Sequence, residues 1–201
     1  MPLKPSININ NMYLKGIVVS PFELYYAAKD KTFYRGYIEV LSISGISNRL
    51  PIVTDEKLIK ELNISVGSAV KINANLRTRN YKENGVDKVD VYAFAYDIKP
   101  NNKNSKYTNQ VTLEGYICKL PQVRYSPTGD KLYSTILANN RENGIVNYIP
   151  IVFFEKNSKE AEQIEVGDLI QLKGRFQSRT YWKNKVLKTV YEVAILTFQE
   201  M

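Results

Sequence analysis

Leu76-Arg77-Thr78-Arg79-Asn80-Tyr81 and Phe176-Gln177-Ser178-Arg179-Thr180-Tyr181 are two versions of one segment, and Lys, Asn and Val follow both in the same order. Working outward, Tyr13-Leu14-Lys15-Gly16 answers to Thr112-Leu113-Glu114-Gly115, Leu50-Pro51-Ile52-Val53 to Ile149-Pro150-Ile151-Val152, and Val66-Gly67 to Val166-Gly167. A register held over that length of chain is the mark of an internal duplication. The 201 residues are therefore read as two domains, 1–98 and 109–201, with 99–108 between them. That connection contains Lys99-Pro100-Asn101-Asn102-Lys103-Asn104-Ser105-Lys106, polar and without periodicity, which reads as an exposed linker.

Inside each copy the periodicity is that of strands. Ile170, Leu172, Gly174 and Phe176 alternate with Gln171, Lys173, Arg175 and Gln177, as Val70, Ile72, Ala74 and Leu76 alternate with Lys71, Asn73, Asn75 and Arg77. Turn residues divide the strands: Asn84-Gly85 in the first copy, Ser126-Pro127-Thr128-Gly129-Asp130 and Asn143-Gly144 in the second. One short helix is expected in each copy, from Thr54 or Asp55 to Leu62 and from Asn157 or Ser158 to Gly167. Three strands, a helix and two strands is the order of a five-stranded OB barrel. The fold expected is all-β with short helices, two tandem OB barrels, each with its helix between strands three and four.

Composition narrows the function. With no histidine and a single cysteine, Cys118, the imidazole bases, the usual zinc sites and an internal disulfide are out of reach. Cys118 reads as a small hydrophobe in a strand, and the sequence shows neither clustered carboxylates nor a nucleophile–base pair. No enzyme activity, metal or cofactor is expected. The start, Met1-Pro2-Leu3-Lys4-Pro5-Ser6, lacks a secretory signal, and no run of eighteen apolar residues occurs, so a cytoplasmic, membrane-free protein is expected. The net charge of +8 favours an anionic partner, with 13 basic against 10 acidic side chains in residues 1–98 and 15 against 10 in 99–201.

Binding a single nucleic-acid strand without reading its sequence needs cations along the phosphates and flat rings under the bases. Fifteen tyrosines are more phenolic surface than a barrel core would choose, because each buried hydroxyl needs a partner. Strand parity puts Lys173, Arg175, Arg179 and Tyr181 on one outward face. It puts Tyr148 and Phe154 opposite the core residues Ile149, Ile151 and Phe153. Trp182 and Lys183 follow Tyr181 into the loop between strands four and five, with parity turning Trp182 away from Tyr181. In the first copy Phe33, Arg35 and Tyr37 share a parity, either as a shifted stacking platform or as packing between the barrels, and Arg77, Arg79 and Tyr81 match the second copy's arm.

The second copy, over roughly residues 109–198, resembles the bacterial single-stranded DNA-binding protein family. The resemblance rests on Asn109 to Ile117, on Pro121-Gln122-Val123-Arg124-Tyr125-Ser126-Pro127-Thr128-Gly129, on Tyr148 to Phe154, on Val166-Gly167-Asp168 and on Gly174 to Tyr181. It implies base-stacking roles for Tyr148, Phe154 and Tyr181, phosphate contacts for Arg124, Arg175 and Arg179, and a place for Tyr125 beside them. The first copy is similar more faintly: Tyr81 matches a stacking position, but Arg49 and Asp55 stand where Tyr148 and Phe154 do. Typical members carry a flexible acidic tail with an apolar tip, whereas this sequence ends at Phe198-Gln199-Glu200-Met201 directly after a strand. DNA coverage is therefore expected rather than recruitment of partners. Two-domain members form dimers, so the resemblance implies a homodimer with four barrels, serving replication, recombination or plasmid or phage DNA transfer, in company with replication or transfer proteins. Two other readings stay open: a primosome-type OB adaptor that binds protein, and a binder of single-stranded RNA.

Overall fold

Alternating apolar residues close each copy into a barrel. In the computed structural model, which describes residues 7–41, 45–83, 85–103, 105–126, 128–142, 144–154, 157–183 and 185–201, the first copy contains β1 (Asn10–Val18), β2 (Glu23–Ala28), β3 (Lys31–Leu41), β4 (Ser47–Asp55), α1 (Glu56–Leu62), β5 (Ala69–Glu83) and β6 (Val86–Pro100). The second contains β7 (Thr108–Ile117), β8 (Gln122–Tyr125), β9 (Lys131–Asn140), β10 (Val146–Phe153), α2 (Ser158–Ala161), β11 (Leu169–Lys183) and β12 (Val186–Glu200). The turn residues Asn84, Pro127 and Asn143 of the sequence reading lie outside the described residues, as does the side chain of Lys183.

The first barrel closes through β1–β3, β3–β4, β4–β6, β6–β5 and β5–β1, with only β4–β6 parallel. The second repeats the circuit through β7, β9, β10, β12 and β11, again with one parallel pairing, β10–β12. These are the five-stranded barrels expected, with one addition. β2 and β8 are short extra strands that pair on the outer side of β3 and β9, in segments that the sequence left as connections. Leu14, Ile38, Leu50, Ile52, Ile72 and Leu76 fill the first core, and Leu113, Ile117, Leu137, Ile149, Phe153 and Phe176 the second. The recurring Leu-x-Gly has a steric cause: a Cβ on Gly16 would collide with the carbonyl oxygen of Glu39, and one on Gly115 with that of Ala138.

Asp55 explains one departure from the repeat. It caps α1, its carboxylate accepting from the Lys57 amide at 2.9 Å, so this position serves the helix where the second copy has Phe154. The second helix is shorter than expected, one turn at Ser158–Ala161. β6 continues through Lys99 and Pro100, opposite Lys71 and Val70, and β7 begins at Thr108, so three residues read as linker belong to strands.

The barrels are joined by β1 and β7, antiparallel from Asn10↔Leu113 to Lys15↔Thr108. Met12 lies opposite Val111, its own counterpart in the duplication, which places a pseudo-twofold axis at that pair. One sheet thus runs through both barrels, and the long β5–β6 and β11–β12 hairpins extend as arms from its two halves.

Candidate nucleic-acid interface

On the second barrel, outward parity delivers the expected rings unevenly. Tyr148 is 47 % exposed on β10, Tyr125 is 69 % exposed on β8, and Trp182 is 72 % exposed near the end of the β11–β12 arm. Trp182, which parity turned away from Tyr181, is thus open to solvent on the arm. Tyr181 lies half-buried with the Arg179 guanidinium 5.1 Å from its ring centre. Phe154 departs from the expectation of an outside ring. The alternation breaks at Val152, which is buried beside its neighbours, and Phe154 packs against Leu132, Val152 and Ala194.

The second barrel's cations fall into two groups. Lys173 is exposed and Arg175 half-buried, both outward on β11, and neither forms an ion pair among the described residues. Arg124 instead donates to the buried Glu192 at 2.8 Å and to Ser134 Oγ at 2.6 Å. Arg179 Nε lies 3.5 Å from the same carboxylate, which also accepts from Gln177 at 3.1 Å. Sequence parity could not foresee Glu192, because a lone glutamate on a strand carries no signal of burial. Its effect is to fix two guanidinium planes and neutralise part of their charge.

The first barrel holds more rings than the sequence led one to expect. Phe33 stacks on Tyr26 with ring centres 4.7 Å apart, Phe94 tilts against Phe33 at 5.6 Å, and Tyr25 meets Tyr26 and Tyr92 edge-on. Arginines fill the intervals. Arg77 lies 3.3 Å over Phe94, Arg79 5.3 Å from both Tyr25 and Tyr26, Arg35 5.3 Å from Tyr25, and Arg49 4.6 Å from Tyr37. Asp90 ties the layer together, accepting from Arg35 at 2.5 Å and from the Tyr25 hydroxyl at 2.6 Å. Burial, reinforced by Asp90, raises the Tyr25 phenol to about 12. Burial also raises Tyr191, to about 12; this residue comes from the second barrel's arm and lines one groove with Arg35, Arg79 and Tyr81. Phe33, Arg35 and Tyr37 thus share a face as parity required, half-buried among protein groups, while Tyr81, on the arm, is 41 % exposed.

Tyr25, Tyr26, Phe94 and Asp90 were missed in the sequence. For the two tyrosines a signal existed: the duplication aligns Tyr25-Tyr26 with Arg124-Tyr125. Phe94 and Asp90 are brought in only by the pairing of β5 with β6.

Two closed five-stranded barrels, each with its helix between the third and fourth strands of the barrel, define a tandem OB-fold protein whose outer faces interleave guanidinium groups and rings. Residues 108–201, the whole of the second barrel, match the model of the single-strand binding protein family. The whole architecture is similar to the wild-type single-stranded DNA binding protein from Thermus aquaticus, with a TM-score of 0.78 at 17 % identity over 98 % of this chain and 94 % of that one. A deletion mutant of that protein gives 0.75 at 18 % identity, covering 97 % and 95 %. The N-terminal domain of the PriB protein from Thermoanaerobacter tencongensis is 30 % identical over 47 % of this chain and 98 % of its own, with a TM-score of 0.41. No curated protein matches the sequence as a relative.

Proposed function

We propose that this protein coats single-stranded DNA without reading its sequence, and that it serves replication, recombination or plasmid or phage DNA transfer. The observation that carries the reading is the second barrel, which matches the single-strand binding protein family and offers open rings at Tyr125, Tyr148 and Trp182 with the cations Lys173 and Arg175, neither ion-paired among the described residues. Bases stack on such rings whatever their identity, since each has a π-face, and phosphates follow the cations. The interaction is non-catalytic and takes place in the cytoplasm, where exposed single strands arise. Two chains associate, giving four barrels.

Competition between matched DNA, RNA and duplex oligomers tests the ligand. Single-stranded DNA is expected to displace a labelled oligothymidine most effectively; preference for RNA would move the protein to the RNA-binding class, and binding of none would favour a protein-binding adaptor. Sedimentation equilibrium tests the assembly, with a mass of two chains expected and a monomer contradicting it.

A further inference from the structure

The pseudo-twofold axis creates two equivalent notches where the barrels meet, and their side chains differ. One is lined by Asn10, Asn11, Asn75 and Arg77 of the first barrel and by Asn140 and Arg141 of the second. Arg77 is held in place by Phe94 beneath its guanidinium, and Arg141 by a turn in which its amide donates to Ile145 O at 3.0 Å. Neither arginine forms an ion pair among the described residues, although Glu142 lines the same notch. The side-chain amides of Asn11 and Asn140 have no hydrogen-bond partner among the described residues either, although the Asn140 backbone amide donates to Asn8 Oδ1 at 2.9 Å. Burial, then the charge of Arg141, pulls the Arg77 guanidinium down to about 10. Two like charges from different barrels thus share a polar recess, neither of them ion-paired among the described residues. An open ring lies next to it, because Tyr148 donates its amide to Thr78 Oγ1 at 3.1 Å and so sits beside Arg77. In the other notch, Gln177 stands where Arg77 does, and Arg49, laid on Tyr37, stands where Tyr148 does.

We propose that Arg77 and Arg141 clamp one phosphate of a single strand as it passes from the first barrel to the second, with the next base on Tyr148. The proposal rests on single-strand binding as the function and adds a crossing point and a residue, Arg141, that no sequence pattern had marked. A phosphodiester fits because it offers one negative charge and two free oxygens to two planar donors. The like-charge pair costs the empty protein stability, which binding recovers.

The test compares wild type, Arg141→Gln and Arg141→Lys on labelled oligothymidines of about 6 nucleotides, confined to one barrel, and about 30, spanning both. Arg141→Gln is expected to bind the long strand about five- to tenfold more weakly, to lose clearly less on the short strand, which cannot span both barrels, and to lose about 0.7 from the salt slope on the long strand. Its melting temperature stays the same or rises, and Arg141→Lys recovers part of the loss. An unchanged long-strand affinity, equal losses on both strands, or weaker binding with a lower melting temperature would each overturn the clamp. Wild type that binds neither strand would overturn the function itself, and the clamp with it.

Discussion

The backbone amide of Thr78 donates to the side-chain oxygen of Asn147 at 3.2 Å across the boundary between the barrels. The pseudo-twofold partner is present too: the Ser178 amide donates to Asn48 Oδ1 at 3.3 Å. Each asparagine lies on the strand before a helix and each amide on an arm, so one barrel's arm is tied to the other barrel's wall. With β1 paired to β7, the two copies act as one body.

Removing the Asn147 side chain leaves a strand amide without a partner in a buried setting, a loss of about 1–3 kcal/mol. Asn147→Ala is expected to lower the denaturation midpoint by that amount, and Asn48→Ala, at a more exposed site, by less. Urea denaturation followed by circular dichroism checks both. A single transition is expected for the whole chain; two transitions would show that the barrels unfold independently.

Open rings should carry more of the binding than covered ones. Stacking a base on one ring contributes roughly 1–3 kcal/mol, so Tyr148→Ala should weaken short-oligothymidine binding by about ten- to a hundredfold. Tyr81→Ala, at an exposed ring, and Tyr181→Ala, at a ring half-buried beside Arg179, should each cost less, with Phe154→Ala showing its effect chiefly as lost stability because its ring packs on Leu132 and Val152. Anisotropy titrations with folded variants decide the ranking. A Tyr81→Ala loss as large as that of Tyr148→Ala would make the first barrel an equal site.

Trp182, the only tryptophan, projects from the second arm, so its fluorescence reports on that arm alone. Saturating oligothymidine is expected to quench it. Unchanged emission would remove Trp182 from the interface and leave the rest of the site standing.

The barrels themselves were legible in the sequence because period-two alternation and turn residues are local signals. Ile149, Ile151 and Phe153 mark the core face of one strand by themselves. Tyr148 could be placed outside by the same counting, whereas the counting turned Trp182 away from the outward face of Tyr181 and did not foresee its exposure on the arm. The first barrel's arginine–aromatic layer could not, since Phe94 and Arg77 meet only after β5 and β6 pair, and Tyr26 and Phe33 only after β2 turns back on β3. Arg124 illustrates the remaining gap. Motif position marked it as a phosphate contact, while the buried carboxylate of Glu192 across the barrel engages it in the free protein.

Tyr25 and Tyr191 should ionise about two pH units later than surface phenols, near pH 12. Their folded-state values lie above the unfolded one, so between about pH 10 and 12 the unfolded chain releases protons that the folded chain keeps, and stability falls as pH rises through that window. Absorbance at the phenolate band during alkaline titration checks this. Tyr25→Phe should remove one late-titrating group, and a titration with all phenols near 10 would contradict the buried Tyr25–Asp90 bond.

The most direct test of single-strand binding is a titration of the protein with labelled oligothymidine at several salt concentrations, with duplex DNA of the same length in parallel. Tight binding to the single strand is expected, with weak binding to the duplex and a logarithmic affinity that falls linearly with the logarithm of salt, with a slope of about −0.7 per phosphate engaged. An affinity that does not change with salt, or a duplex bound as well as the single strand, would contradict it.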